Sequence, residues 1–244
     1  ANRYTVGSGW GTAQLIETQN LGDVSQYEII IDDSGNVIVI WRQYDGTRNN
    51  LWANRYTVGS GWGTAQLIET ENLGSAGMPK ILFDSSGNVT AVWSQSDGTR
   101  FNLWANRYTV GSGWGTAQLI ETENIGDAQM PEILMDESGN LNAVWLQSDG
   151  TRNNLWANRY TIGSGWGTAQ LIETENIGDA QMPEILMDES GNLVTIWLQF
   201  DSSQLNLWGN YYKIDSGWGT SQRLETQDLY DATIPKIQVN SEGE

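Results

Sequence analysis

The chain has 244 residues and a net charge of −18, from 12 basic and 30 acidic residues, and it contains neither cysteine nor histidine. Without cysteine there are no disulfides and no thiolate chemistry, and without histidine the commonest general base and metal ligand is missing. The acidic charge disfavours nucleic acid and anionic membranes as partners. No apolar run is long enough for a membrane-spanning helix.

One stretch, ANRYTVGSGWGTAQLIET, opens the chain and returns at Ala53, Ala105 and Ala157 and, in diverged form, at Gly209. Each copy starts 52 residues after the previous one. A fixed period of this order is typical of solenoids, propellers and arrays, in which each unit buries its surface against its neighbours. We therefore expect one domain over residues 1–244, with repeat starts at 1, 53, 105, 157 and 209 and a truncated last copy.

Each repeat predicts four short strands and no helix. In the second copy, PKILFD (residues 79–84) and VTAVW (89–93) flank a Ser-Ser-Gly-Asn turn, and the Asp-Gly that follows is a hairpin signal. LWANRYTV (103–110) is the third predicted strand, and AQLIE (117–121), after the glycine-rich GSGWG turn, is the fourth. Side chains alternate between the two faces of a strand, so Leu103, Ala105 and Arg107 should share one face.

Tandem units of four antiparallel strands predict a five-bladed β-propeller, in which neighbouring blades cover both faces of the inner strands. That packing accounts for the nearly continuous apolar segment NVIVIW at residues 36–41. The rival all-β repeat, a parallel β-helix, usually has shorter coils and lacks such hairpin turns.

The pattern P-x-I-x-x-D-x-x-G-N-x-x-x-V-W, as at residues 131–145, resembles the blade signature of bacterial β-propeller repeat proteins. Its first half is similar to NHL-type blades, whereas the tryptophan-rich LWANRYTVGSGWG is more similar to secreted or lectin-type blades. Tyr27 departs from the pattern where other copies have proline. The resemblance implies an extracellular or cell-surface bacterial protein and a ring closed by pairing the N- and C-terminal segments.

The last blade would combine residues 235–240 with the first eighteen residues, and its second strand is missing from the sequence. An unpaired strand edge favours pairing with another chain. We therefore expect either an imperfect closing blade or self-association at that edge. Appending a copy of residues 192–208 after Glu244 should complete the blade and raise its stability.

Two sets of repeated residues are candidates for ligand binding. The first set is the tryptophan flanked by glycines, which could either stack on an apolar sugar face or fill a gap between blades; it comprises Trp10, Trp62, Trp114, Trp166 and Trp218. The second set is the arginine of ANRY, a planar donor for hydroxyls or carboxylates that could instead pair with an acid of the neighbouring blade; it comprises Arg3, Arg55, Arg107 and Arg159. The fifth copy has Tyr211 at this position.

The DxSGN turns, such as residues 84–88, cluster oxygens that could bind Ca²⁺, but they lack EF-hand spacing and a terminal bidentate glutamate. We expect plain hairpin turns there, with no metal and no cofactor. No singular constellation of catalytic residues is present, so the sequence predicts that the chain is not an enzyme. Repeated sites would give avidity, and we expect a multivalent, lectin-like module whose partners are glycans. The alternative is a structural or idealised repeat scaffold without a ligand.

Overall fold

The computed structural model describes residues 1–19, 22–71, 73–225 and 231–238. Over these ranges the chain is all-β, and four sheets repeat one antiparallel meander. We call them blades 1 to 4 in chain order. The described residues form no helix of the length and apolarity that a membrane crossing needs.

Three long strands form the body of each blade. The first strands are Val24–Ile31, Ala76–Phe83, Ala128–Met135 and Ala180–Met187. The second strands are Val37–Tyr44, Val89–Ser96, Leu141–Ser148 and Leu193–Phe200. The third strands are Asn49–Thr57, Phe101–Thr109, Asn153–Thr161 and Leu205–Lys213.

The predicted fourth strand is split into two short pieces that both pair with the third strand. The upper pieces are Gly61–Trp62, Gly113–Trp114, Gly165–Trp166 and Gly217–Trp218. The lower pieces are Gln66–Leu67, Gln118–Leu119, Gln170–Leu171 and Gln222–Arg223. The glycine-flanked tryptophan therefore lies just after the turn, paired with a tyrosine as in Tyr108↔Trp114, and not within the turn as predicted.

Hydrogen bonds within the hairpins explain why the turns form where the sequence predicts them. In blade 2, Asp84 Oδ1 accepts from the backbone N–H groups of Ser86 and Asn88, and Asp84 Oδ2 accepts from Asn88 Nδ2 at 2.8 Å. Gly87 has φ of +76°, a left-handed conformation that glycine adopts without a Cβ penalty. The DxSGN oxygens are thus engaged by their own turn, and no group of metal-binding side chains occurs among the described residues.

The core lies between blades. Ile38, Ile40 and Leu51 of blade 1 pack on Ile81 and Trp93 of blade 2, and equivalent clusters join blade 2 to blade 3 and blade 3 to blade 4. The second-strand tryptophans are almost completely buried: Trp41, Trp93, Trp145 and Trp197.

A buried asparagine also joins consecutive units. Asn106 Nδ2 of blade 2 donates to the backbone oxygen of Ile68 in the preceding unit at 2.8 Å. It also donates to the oxygen of Gly115 in its own blade at 3.0 Å. The equivalent bonds of Asn54, Asn158 and Asn210 repeat this link. Each unit is therefore fastened to its predecessor by a polar as well as an apolar contact.

The inner strands converge on a cavity of about 280 Å³ whose lining includes Met78, Met130, Met182 and Ile234. Each of these residues has a positive φ, as does Gln26 at the equivalent position. Lys236 Nζ lies 2.5 Å from Glu184 Oε1, so residues 231–238 follow blade 4 in the next inner position. The architecture is that of a five-bladed β-propeller.

The two ends of the chain share the fifth position. Residues 1–19 form the outer part of a blade, which we call the half-blade, with strands Tyr4–Thr5 and Gly9–Trp10. The half-blade docks on blade 1, where Asn54 Nδ2 donates to the oxygen of Ile16 at 2.7 Å. No strand pairing joins residues 1–19 to residues 231–238 within the described ranges. Residues 239 and 240 of the expected closing strand lie outside those ranges.

Candidate inter-blade clefts

The structure brings the predicted arginines and tryptophans together, but from different copies of the repeat. The guanidinium of Arg107 in blade 2 lies over the ring of Tyr160 in blade 3, 5.7 Å from its centroid. The same tyrosine ring meets Trp166 edge to face, with centroids 5.7 Å apart. Arg55 stacks on Tyr108 at 5.3 Å and Arg3 on Tyr56 at 5.1 Å in the same way. The arginine of one unit thus faces the aromatic pair of the next.

These arginines also form ion pairs, and the partner differs from the prediction. Arg107 pairs with Asp84 and Arg159 Nη2 lies 2.7 Å from Asp136 Oδ2. Each aspartate belongs to the same blade as its arginine and not to the neighbouring one. The turn that ends the first strand places the carboxylate beside the third strand of its own sheet, which sequence distance alone does not reveal.

Both turn aspartates have lowered pKa values. Partial burial by itself raises the pKa of Asp84, but hydrogen bonds from Asn88 and Ser86 and the charge of Arg107 outweigh it. Asp136 is lowered in the same way, through Asn140 and Arg159. The carboxylates therefore stay ionised at neutral pH and neutralise the guanidinium groups beside them.

A cleft of about 240 Å³ lies between blades 2 and 3. Its lining includes Asn106, Arg107, Gln118, Tyr160 and Trp166. Arg107 Nη1 donates to Thr90 Oγ1 at 2.9 Å, which holds the guanidinium at the wall of the cleft. The Gln118 amide, a guanidinium edge and an indole thus converge on one concave space, the combination that polar ligands with an apolar face require.

The interface between blades 1 and 2 is arranged differently. Arg55 lies between two rings, 5.4 Å from Phe83 as well as over Tyr108. Its Nη1 donates to the oxygen of Gly87 at 3.1 Å. The adjoining cavity, about 460 Å³, is bounded by Asp32, Asp84 and other turn residues. Arg55 is therefore used mainly to hold two blades together, so the copies are not equivalent.

Blade 4 lacks the arginine. Tyr211 takes its place and donates from its hydroxyl to Asp188 Oδ2 at 3.3 Å. A larger hollow of about 520 Å³ is lined there by Tyr211, Lys213 and Trp218. The ion pair is replaced by a hydrogen bond from a neutral phenol to the carboxylate, so the negative charge of Asp188 is not neutralised by an arginine at this position.

The tryptophans of the site set divide into two groups. Trp62, Trp114, Trp166 and Trp218 are half-buried and pack at the rim of the inter-blade clusters. Trp10 is 69% exposed, and no arginine of a preceding unit stacks on its partner Tyr4 among the described residues. Each of the four half-buried rings can therefore fill a gap between blades with its covered part and still stack on a ligand with its exposed part.

Two features of the structure were missed from the sequence, one in the clefts and one that concerns stability. The first is the tyrosine of ANRY: the ring of Tyr108 contacts both Arg55 of the preceding unit and Trp114 of its own unit. The position of this tyrosine inside the repeated motif was the available signal. The second is a pair of buried carboxyls, Glu69 and Glu121, whose pKa values burial raises to about 8. These two glutamates line none of the clefts described above, so they concern stability.

Neither family models nor curated proteins match the sequence. Among solved structures, an α-L-arabinanase of Penicillium chrysogenum complexed with arabinobiose is similar, with a TM-score of 0.55 and 15% identity over 91% of this chain and 68% of that one. An intramolecular trans-sialidase of Ruminococcus gnavus matches with a TM-score of 0.55 and 13% identity over 83% and 71%. A polysaccharide lyase, an ulvan lyase, matches with a TM-score of 0.55 and 10% identity, and the chain spans 52% of its length.

The expectation that the chain is not an enzyme is wrong, because the solved structures that share its fold are mostly enzymes that act on carbohydrates. Its premise was that near-identical repeats offer no singular constellation of residues. The structure removes that premise: Arg55, Arg107 and Tyr211 occupy one repeat position with three different sets of contacts. The likeness establishes the fold, and the NHL-like resemblance of the blade signature stays a prediction.

Proposed function

We propose that the protein binds carbohydrate in its inter-blade clefts and does so multivalently. The observation that carries the proposal is the cleft between blades 2 and 3, where Arg107 and Gln118 provide donors beside the half-buried ring of Trp166. A sugar presents hydroxyls at its edge and C–H groups on its face, and this cleft offers a partner for each. Solved structures of the same fold that act on carbohydrates support the assignment.

The charge of the site favours a neutral sugar. Asp84 neutralises Arg107, and the chain as a whole carries −18. The negative charge of the protein would repel an anionic glycan, and the guanidinium that could bind it is already paired with Asp84. The volume of about 240 Å³ is below the roughly 300 Å³ at which drug-sized pockets begin, so the cleft suits one sugar unit. As part of the same proposal we place the protein outside the cell or at its surface, where such glycans are displayed.

A glycan array followed by calorimetric titration tests the proposal. Neutral mono- and oligosaccharides, including arabino-oligosaccharides, should bind weakly at each site and more tightly to surfaces that display many copies. Because enzymes share the fold, the same panel should be analysed for released products. An absence of binding at millimolar concentrations, with no product released, would favour a structural scaffold.

Trp166→Ala is the informative variant. It should weaken sugar binding by about 1 kcal/mol for its site while the protein stays folded, because the ring is only half-buried. Trp10→Ala is the matched control, since Trp10 is exposed and no arginine stack adjoins it within residues 1–19. Equal losses from both variants would contradict the assignment to the cleft.

A further inference from the structure

On the face of blade 1 that points towards the half-blade, the first strand leaves apolar side chains in solvent. Ile29 is 58% exposed and Tyr27 is 70% exposed, whereas Ile81 and Ile133, the counterparts of Ile29 in blades 2 and 3, are buried. Together with Leu15, Ile16 and Trp41, these side chains bound a groove of about 350 Å³. A concentrated apolar face of this kind marks a binding surface more often than an isolated exposed residue does.

The complete interfaces show what fills the equivalent groove. On blade 2 it is filled by Ile38 and Ile40 of the preceding second strand, with Ala53 and Ile68 beside them. The repeat counterparts of Ala53 and Ile68 in the half-blade are Ala1 and Ile16, and both line the groove. No described residue stands in the place of Ile38 and Ile40.

Among the described residues, the backbone beside the groove has a partner strand on one side only. In blade 1 the segment from Ala53 to Tyr56 pairs with the second strand, as in Val39↔Asn54. In the half-blade the corresponding residues pair only outward within the described ranges, as in Tyr4↔Trp10 and the bond from Gln14 N to Ala1 O at 2.7 Å. An apolar groove next to a free strand edge is the arrangement that accepts an added β-strand.

We infer that this groove is an acceptor site for one extended peptide strand with aliphatic residues at alternate positions, added antiparallel to residues 1–5. The second strands of the complete blades indicate what such a peptide should be like. Each pairs with the third strand of its blade and presents alternate side chains to the next blade. The side chains so presented include Ile38 and Ile40 in blade 1 and Val194 and Ile196 in blade 4. The second strands of blades 1 and 4 both have β-branched aliphatic residues at these two positions, and that of blade 4 supplies the probe below. This inference does not depend on carbohydrate binding.

The test uses a synthetic peptide with the sequence of residues 192–208, carrying a short lysine tail, titrated into the whole protein. Saturable binding with one peptide per chain and a rise in melting temperature are expected. A control peptide with the same tail has aspartate at the positions of Val194 and Ile196. It should bind at least about tenfold more weakly, because charges would enter the apolar groove.

Variants of the protein locate the peptide. Ile29→Asp should weaken binding of the first peptide at least about tenfold, and the exposure of Ile29 means that the fold should tolerate the change. Val6→Asp is the matched control, since Val6 is 90% exposed and does not line the groove. No saturable binding, or binding that Ile29→Asp leaves unchanged, would overturn the inference. Loss of sugar binding alone would leave it standing.

Discussion

The interface between blades 2 and 3 and the interface between the half-blade and blade 1 share one identical sequence, at residues 105–122 and 1–18, but differ in burial. At the first, Ile133 is 9% exposed and the cluster extends from Leu103 to Trp145. At the second, Ile29 at the equivalent repeat position lies largely in solvent. The difference shows that a residue in a repeat takes its role from the neighbouring unit, because the core of a propeller lies between blades and not within them.

The largest expected effect compares these two isoleucines directly. Ile133→Ala should lower the free energy of unfolding by about 2–4 kcal/mol, because it opens a cavity in a packed cluster. Ile29→Ala should change it by less than about 0.5 kcal/mol, because little buried area is lost. Urea denaturation of both variants measures the difference, and equal losses would mean that the half-blade interface is as well packed as the other.

The second expected effect concerns Glu69 and Glu121, which are buried, whereas their counterpart Glu17 in the half-blade is only partly buried. Burial raises the pKa of Glu121 to about 8; the charge of Asp97 also raises it and that of Arg100 lowers it. Burial likewise raises the pKa of Glu69 to about 8, where Arg48 lowers it and Asp45 raises it. A raised folded pKa means that the stabilisation is present below the unfolded value, near 4.5, and is lost as pH rises through 8. Stability should therefore fall between pH 5 and pH 9. A shift of this size corresponds to about 4 kcal/mol, and residual solvent screening reduces it to on the order of 2 kcal/mol per glutamate.

Glu121→Gln and Glu69→Gln check this pH dependence. Each variant should flatten the profile of melting temperature against pH between 5 and 9, and the double variant should flatten it further. A wild-type profile that rises over this range would contradict the prediction. Below pH 4 the turn aspartates act in the opposite direction: protonating Asp84, whose pKa is lowered, removes stability as pH falls.

A smaller effect compares two asparagines. Asn106→Ala should cost about 1–2 kcal/mol, because two backbone oxygens lose the donor that joins consecutive units. Asn2→Ala, at the same repeat position in the half-blade, should cost almost nothing, since Asn2 is exposed. Thermal unfolding of both variants separates the outcomes, and a large loss from Asn2→Ala would show that the half-blade is fastened by this residue too.

The smallest expected effect is on ligand binding. Arg107→Lys keeps the charge but loses the planar donor fork, so sugar binding should weaken by about 0.5–1 kcal/mol. Arg3→Lys should matter less, because Arg3 is exposed although it stacks on Tyr56. Titration with a sugar identified on the array compares them, and a greater loss from Arg3→Lys would move the principal site to the half-blade.

Much of the blade could be predicted from the sequence, because its determinants are local. The two-residue alternation in LWANRYTV correctly placed Leu103 and Ala105 on one face and Trp104 on the other, and the structure turns these faces towards blade 3 and blade 1. The DxSGN and Asp-Gly turns were also correct, because their hydrogen bonds run between residues two to four apart. The split outer strand was missed, since the sequence does not show where the backbone leaves the ladder between Trp114 and Gln118.

The sequence by itself determined the repeat, the strand order and the chemical types available to a site, since period and turn chemistry act over a few residues. Only the tertiary structure decided that Arg107 meets Tyr160 and Trp166 of the next unit and takes Asp84 of its own blade as its counter-ion. It alone decided that Trp10 and Trp166, which both lie in the sequence GSGWGTAQLIET, differ in exposure. The physical reason is that burial and electrostatics at these positions depend on a neighbouring blade 52 residues away along the chain.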